Sequence, residues 1–271
     1  MTSITAGSKI IAPNETPHPA RVDFEIAEQL VGSVLPQDAQ WLASQLPGLS
    51  FDGEILSLNP VCSTDGPAVL DQIAELFRNA GRLGKWRNEK LRVTTPDGSI
   101  VGLVERAAAR ALGIKTFAVH LMVYGAQPGT VWMQQRAFDK ANDPGMWDTA
   151  VGGLVSGTES FLLSLHRESQ EEAGLDVVAL EKMGAVLKRG QSITVRRNLP
   201  EGFMHEDLII YDIQLPPGIC LENQDGEVAQ FQCWSIATLV NAINKRQLTL
   251  EAILMCQESL ERNAIKAPLL R

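Results

Sequence analysis

Between Gly153 and Leu175 the chain reads GLVSGTESFLLSLHRESQEEAGL. On a helix, Glu168, Glu171 and Glu172 lie three and four residues apart and share one face, while Leu162 and Leu165 point to another side for burial against a sheet. Like charges at that spacing oppose the helix by roughly 0.2–0.5 kcal/mol per pair even when exposed. The arrangement makes physical sense when a divalent cation sits among the carboxylates. Carboxylate and water oxygens, completed by substrate phosphate oxygens, are the ordinary surroundings of Mg²⁺ or Mn²⁺. Arg167, next to Glu168, can brace one carboxylate by a two-point ion pair.

The rest of the composition narrows the partners. Lys and Arg number 24 against 32 Asp and Glu, a net charge of −8, so phosphate backbones and anionic membranes are repelled at long range. A small-molecule partner is expected, with no nucleic acid and no membrane. A hydrophobic share of 45% and 271 residues suit a sizeable core and two domains. The longest uncharged stretch, 116–135, is broken by Gly125, Pro128 and Gly129 and reads as two strands around a turn. The first twenty residues lack a basic segment followed by an apolar one, so a cytoplasmic location is expected. Cys62, Cys220, Cys233 and Cys256 show no paired spacing and read as buried, reduced thiols.

Along the chain, residues 1–20 carry three prolines without periodicity and are expected to form a flexible arm. From Val22 the spacing of Phe24, Ile26, Ala27, Leu30 and Val31 predicts a helix, and Pro36 opens another with Trp41, Leu42 and Leu46 on one face. A strand is expected over 54–58, a helix from Pro67 to Ala80, and a hairpin of 91–95 with 100–104 around PDGS. An Ala-rich helix over 105–112 completes an α+β unit spanning 21–115. From 116 the texture changes to strands at 177–188, 191–197, 207–214 and 227–234, a helix over 158–173, and closing helices over 235–246 and 249–262. That order predicts an α/β domain with a sheet covered on both faces. His120 reads as a core histidine, and His166 and His205 as residues outside the chemistry.

Gly153, Glu159, Arg167-Glu168, Glu171-Glu172, Gly174 and Leu175, at their spacings of five, seven, two and one intervening residues, resemble the Nudix box of the Nudix (MutT-like) hydrolases. Ser169 departs from the pattern at a packing position that is normally aliphatic or Ala/Thr. RAFDKANDPGMWDTAVGG upstream and DGEVAQFQCW downstream are similar to the branch related to thiamine pyrophosphokinase, whose members carry an uncharacterised domain ahead of the Nudix fold. The resemblance implies a Nudix α/β/α sandwich with a mixed sheet over 116–271, preceded by the small α+β unit.

It also implies a pyrophosphohydrolase that cleaves a diphosphate bond by water attack, in a nucleoside diphosphate linked to another moiety or a thiamine-diphosphate-like compound. Glu168, Glu171, Glu172 and Glu159 would serve the metal, with Glu227 as an added acid. Glu168, with Arg167 and Glu171, would carry catalysis. Arg136, Lys140, Trp147 and Asp148 would meet the substrate, Trp147 by stacking an aromatic ring. Gly152, Gly153 and Gly174 would permit the turns around the helix. The alternatives are an isopentenyl-diphosphate-isomerase-like enzyme, which needs a catalytic cysteine near the active-site strands, and a ligand sensor without turnover. The N-terminal unit is expected to cover one edge of the cleft or to help form a homodimer.

Overall fold

The computed structural model describes residues 10–59, 66–140, 142–224 and 226–263. In chain order the elements are β1 (Val22–Ile26), β2 (Gln29–Val34), α1 (Pro36–Gln45), β3 (Leu49–Phe51), β4 (Ile55–Leu58), α2 (Gly66–Asn79), β5 (Lys90–Thr94) and β6 (Ile100–Glu105). A second series follows with β7 (Lys115–Tyr124), β8 (Thr130–Arg136), β9 (Trp147–Thr149), β10 (Val151–Leu154), α3 (Phe161–Ala173) and α4 (Val177–Lys182). The chain closes with β11 (Lys188–Arg189), β12 (Ile193–Leu199), β13 (Gly202–Gln214), β14 (Val228–Ser235), α5 (Ile236–Asn244) and α6 (Leu250–Arg262).

The first series makes a four-stranded sheet in the order β2-β1-β4-β3 and a separate β5–β6 hairpin. Phe24, Leu42, Leu56, Leu70, Ile73 and Phe77 fill a core between them and the two helices. The helix expected from Val22 is instead the β1–β2 hairpin. Phe24 and Ile26 alternate inward, and Ala27 and Glu28 turn the chain at φ 51° and 62°. A two-residue turn with both residues at positive φ matches strand twist, which decides against the helix. Residues 105–112 form only a single tight helical turn, Arg106–Ala108, because the chain must descend from β6 into β7. The described part of the expected arm, residues 10–20, is held against β12, with the Glu15 N–H bonded to the Arg196 carbonyl and the Arg196 N–H to that of Pro13.

The second series builds an eight-stranded mixed sheet running β11-β13-β7-β8-β14, with β10 paired to β7, β9 to β8 and β12 to β13. β13 and β7 are parallel over ten residue pairs, the only arrangement among the described strands here that needs a helical crossover. Val119, Leu121 and Ile209 face α3 through Leu165 and Ala173. Met122, Val131 and Met133 face α5 and α6 on the other side. This is an α/β/α sandwich with a mixed sheet, as expected. Residues 177–182 are helix rather than strand, because Asp176 caps the segment by accepting the Ala179 N–H. Of the cysteines, Cys256 is buried while Cys220 and Cys233 are exposed, contrary to expectation, and Cys62 lies outside the described residues. Among the described residues no helix is long and apolar enough to cross a membrane.

Candidate functional site

The glutamate helix is anchored at both ends by its own sequence. Ser160 caps α3 by accepting the Leu163 N–H at 3.2 Å, and Gly174 ends it in the left-handed conformation at φ 65°. Leu165 is fully buried against the sheet, but Leu162 and Leu163 are exposed, so only one of the two expected core leucines faces inward. The same face of α3 meets β10. A Cβ on Gly153 would lie 2.1 Å from the Glu168 carboxyl carbon, so this position accepts glycine alone while Glu168 holds its place. Gly152 is equally constrained, since a Cβ there would lie 2.5 Å from His120 Nδ1.

One cation organises three of the carboxylates. Arg167 Nε and Nη2 donate to Glu159 at 3.0 Å, while Nη1 donates to Glu168 Oε1 at 2.9 Å and to Glu171 Oε2 at 3.0 Å. Ser164 adds a 2.6 Å bond to Glu159, which saturates that group and holds it below the usual carboxylate range, the Arg167 bond being the main cause. Glu172 is 5% exposed and its Oε2 accepts the Gly152 N–H at 3.0 Å. Burial pushes its carboxyl well up, and the neighbouring Glu168 charge adds to that. Glu168 is also pushed up by burial, against the pull of Arg167.

The predicted substrate residues are placed less simply. Arg136 Nη1 donates to buried Asp148 at 3.2 Å, and its other nitrogens donate to the Asn142 carbonyl. Burial raises the Asp148 carboxyl, opposed by the Arg136 charge. Lys140 bonds Glu227, so the structure pairs two residues that the sequence assigned to different tasks. Burial pushes Glu227 up, but the Lys140 bond and charge and the Arg106 and Arg87 charges bring it below its ordinary range. Trp147, half-buried, packs on Trp234 with ring centroids 4.4 Å apart and lies against the core beneath α5 and α6. His120, bonded to Thr149 at 3.1 Å, is held neutral by burial, its pKa lowered to about 3.

Sequence reasoning missed the residues that reach in from the first series. Arg92 on β5 donates to the carbonyls of Ser156 and Glu159, and the Gly157 N–H returns a 2.8 Å bond to the Lys90 carbonyl. Nothing in the alternation of β5 marks Arg92 as different from any strand arginine.

Among the described residues no three carboxylate, imidazole or thiol groups converge into a cage ready for an ion. Mg²⁺ and Mn²⁺ do not need one, because they use one or two carboxylates and complete their shell with water and phosphate oxygens. Buried Glu172 and half-buried Glu168, the first held by a backbone N–H and the second by Arg167, supply hard oxygen donors, and the donor set fits such an ion.

Comparison with known proteins agrees with this geometry. The chain is 27% identical to Nudix hydrolase 24, chloroplastic, of Arabidopsis thaliana over 83% of its own length and 62% of that protein. It is 27% identical to the uncharacterized protein YJR142W of Saccharomyces cerevisiae, covering 74% of this chain and 63% of the relative. The chain thus spans somewhat under two thirds of these relatives. The fold is similar to the crystal structure of DR0079 from Deinococcus radiodurans, with a TM-score of 0.50, 17% identity, 66% of this chain covered and 100% of the other. The NUDIX domain family model matches residues 115–252, just over half of the chain and including the whole glutamate helix, so the protein belongs to the NUDIX domain family.

Proposed function

We propose that this protein hydrolyses the diphosphate link of a small organic diphosphate with Mg²⁺ or Mn²⁺, and that a thiamine-diphosphate-like compound is the favoured substrate. The observation that carries the reading is the set of three glutamates on and before α3 that share one arginine, with Glu172 beside them on the Gly152 N–H and Glu168 seated over Gly153. In this reading residues 116–271 are the hydrolase domain and 21–115 an accessory unit, within the branch related to thiamine pyrophosphokinase.

A bound divalent ion stabilises the charge that develops on phosphoryl oxygens and eases deprotonation of the attacking water. Glu168, Glu171 and Glu172 would hold it. Glu168 Oε1 is fixed by Arg167, which leaves Oε2 to take the proton from the water. Glu159, both of whose oxygens are engaged, acts by orienting Arg167. Glu171, with a side chain 53% exposed, is the carboxylate freest to turn toward the ion. Arg136 and Asp148 brace the strand end beside the Gly-Gly pair.

Two of the three described cysteines lie away from the glutamate helix, which favours hydrolysis over the isomerase alternative. Cys256 is buried against Met122, and Cys233 lies by Gly125, at the end of β7 away from Gly153. The test is a hydrolysis screen of thiamine diphosphate and its oxidised analogues, ADP-ribose, nucleoside diphosphates, NADH and CoA with either metal, run beside Glu171→Gln and Glu172→Gln. Turnover abolished in both variants is expected. Ligand binding without turnover by the native chain would move the assignment to a sensor.

A further inference from the structure

A cavity of about 300 Å³ opens between the first series of elements and β13, and its lining includes Leu154, next to Gly153, and Asn142, two residues after Lys140. Its walls from the first series are cationic: Lys85 and Arg87 from the loop after α2, and Arg106 and Arg110 from the descent into β7. Such a concentration is unexpected in a chain of net charge −8 and has to be held in place. Arg106 is fixed by Glu89 at 2.7 Å, and Arg110 by Glu201. The Arg87 N–H is tied to buried Glu105 at 2.8 Å, which fixes the backbone while leaving the side chain exposed. Lys85 and Arg87 form no ion pair with any described residue.

The carboxylates in the same cavity are accounted for. Glu201 is matched by Arg110, and Glu206 is buried and bonded to Thr116 Oγ1 at 2.8 Å. His205 is kept neutral by burial, its pKa lowered to about 4. Arg87 and Arg106 lie close enough for their charges to act on Glu227, at the entry to β14. By contrast, the cations that the sequence offered for phosphate, Arg136 and Lys140, are already engaged by Asp148 and Glu227.

We propose that this cavity is the substrate's second anionic subsite, in which Arg87 and Lys85 receive the phosphoryl group that faces away from the α3 glutamates. The proposal rests on the diphosphate-hydrolase reading and adds the residues that recognise the substrate. A diphosphate then bridges two opposite fields, an acidic face that takes it through a cation and a basic wall that takes it directly. Arginine suits the second task because its planar donors meet phosphate oxygens in pairs.

The test uses the full chain with Arg87→Gln, Lys85→Gln and the charge-preserving Arg87→Lys. For the best substrate of the hydrolysis screen, Arg87→Gln is expected to raise KM about tenfold or more with kcat changed less, since a charged contact to phosphate is lost in ground and transition states alike. Arg87→Lys should restore most of the loss, and the salt dependence of KM should weaken in Arg87→Gln. Calorimetric binding of inorganic pyrophosphate with Mn²⁺ supplies a readout that does not depend on turnover. Unchanged KM and unchanged pyrophosphate affinity in both Gln variants would overturn the proposal. Pyrophosphate binding that needs Arg87 in a native chain that hydrolyses nothing would keep the basic wall and discard the hydrolase reading.

Discussion

Two acidic clusters in this protein are each organised by a single arginine, and they differ in what else the carboxylates touch. At the end of α6, Arg262 holds Glu258 at 2.9 Å and Asp212 at 2.9 Å. Asp212 also accepts from Ser259 and Asn263, and Glu258 accepts the Gln191 N–H at 2.9 Å. On α3, Arg167 serves three glutamates, and Glu172 beside them has one backbone N–H. The first cluster is satisfied by neutral donors and by its own cation. The second shares one cation among three carboxylates and leaves Glu172 a single backbone N–H, and burial makes its charge costly. A carboxylate cluster is a candidate for metal chemistry when its compensation is incomplete, and a structural staple when it is complete.

Substitution can break that contrast. Glu172→Gln is expected to cut hydrolysis about a hundredfold or more, as removal of charge at a metal or transition-state contact does, while Glu258→Gln leaves kcat/KM near the native value. Equal losses in the two variants would erase the distinction. Gly153→Ala should follow in size: the added Cβ displaces Glu168, and a fall of roughly tenfold in kcat with about 1–3 kcal/mol of overpacking cost is expected, read by kinetics beside thermal unfolding.

The pH dependence sharpens the comparison. The carboxyls of Glu168 and Glu172 are raised above their ordinary 4.5, so the folded state binds those protons more tightly than the unfolded state does. Their contribution to metal-free stability is therefore complete below that value and is lost as pH rises through the raised values. Mn²⁺ should accordingly raise Tm more at pH 8 than at pH 5, the stabilisation being about 2.7 kcal/mol wherever the ion stands at a hundred times its Kd, and this pH dependence should weaken in Glu172→Gln. In the satisfied cluster, Glu258→Gln should cost about 1–2 kcal/mol in denaturant unfolding.

The smallest effect has the opposite sign. Ser169 is fully buried, and its hydroxyl has no hydrogen-bond partner among the described residues. Ser169→Ala should stabilise the chain by about 1 kcal/mol with turnover unchanged. A loss of stability would mean that the hydroxyl is satisfied in solution.

How much of this was legible follows from what fixes each element. α3 could be read almost completely because chemistry sets the spacing of its glutamates and glycine its two approaches. The segment after Val22 was misread because Phe24, Ile26, Leu30 and Val31 satisfy both a helical and an alternating spacing. The turn that decides between them is built from Ala27 and Glu28, which carry no turn signal. Val177 and Val178 suggested a strand, and the Asp176 cap overrode that preference. The pairings Lys140–Glu227 and Arg167–Glu159 were out of reach because they depend on how loops fold back. The basic wall was invisible for the same reason, its cations, Lys85 to Arg110, lying far before the box that opens at Gly153.

The bonds from Arg92 to the carbonyls of Ser156 and Glu159, returned by Gly157 to Lys90, have a consequence for descent. They make the loop that launches the glutamate helix a shared possession of two stretches of gene. A recombination event that replaced the segment before residue 110 would leave two carbonyls and an amide of that loop without partners, at a point where small displacements move Glu159 and the whole helix behind it. Lineages that keep this loop sequence are expected to inherit the β5–β6 hairpin with it.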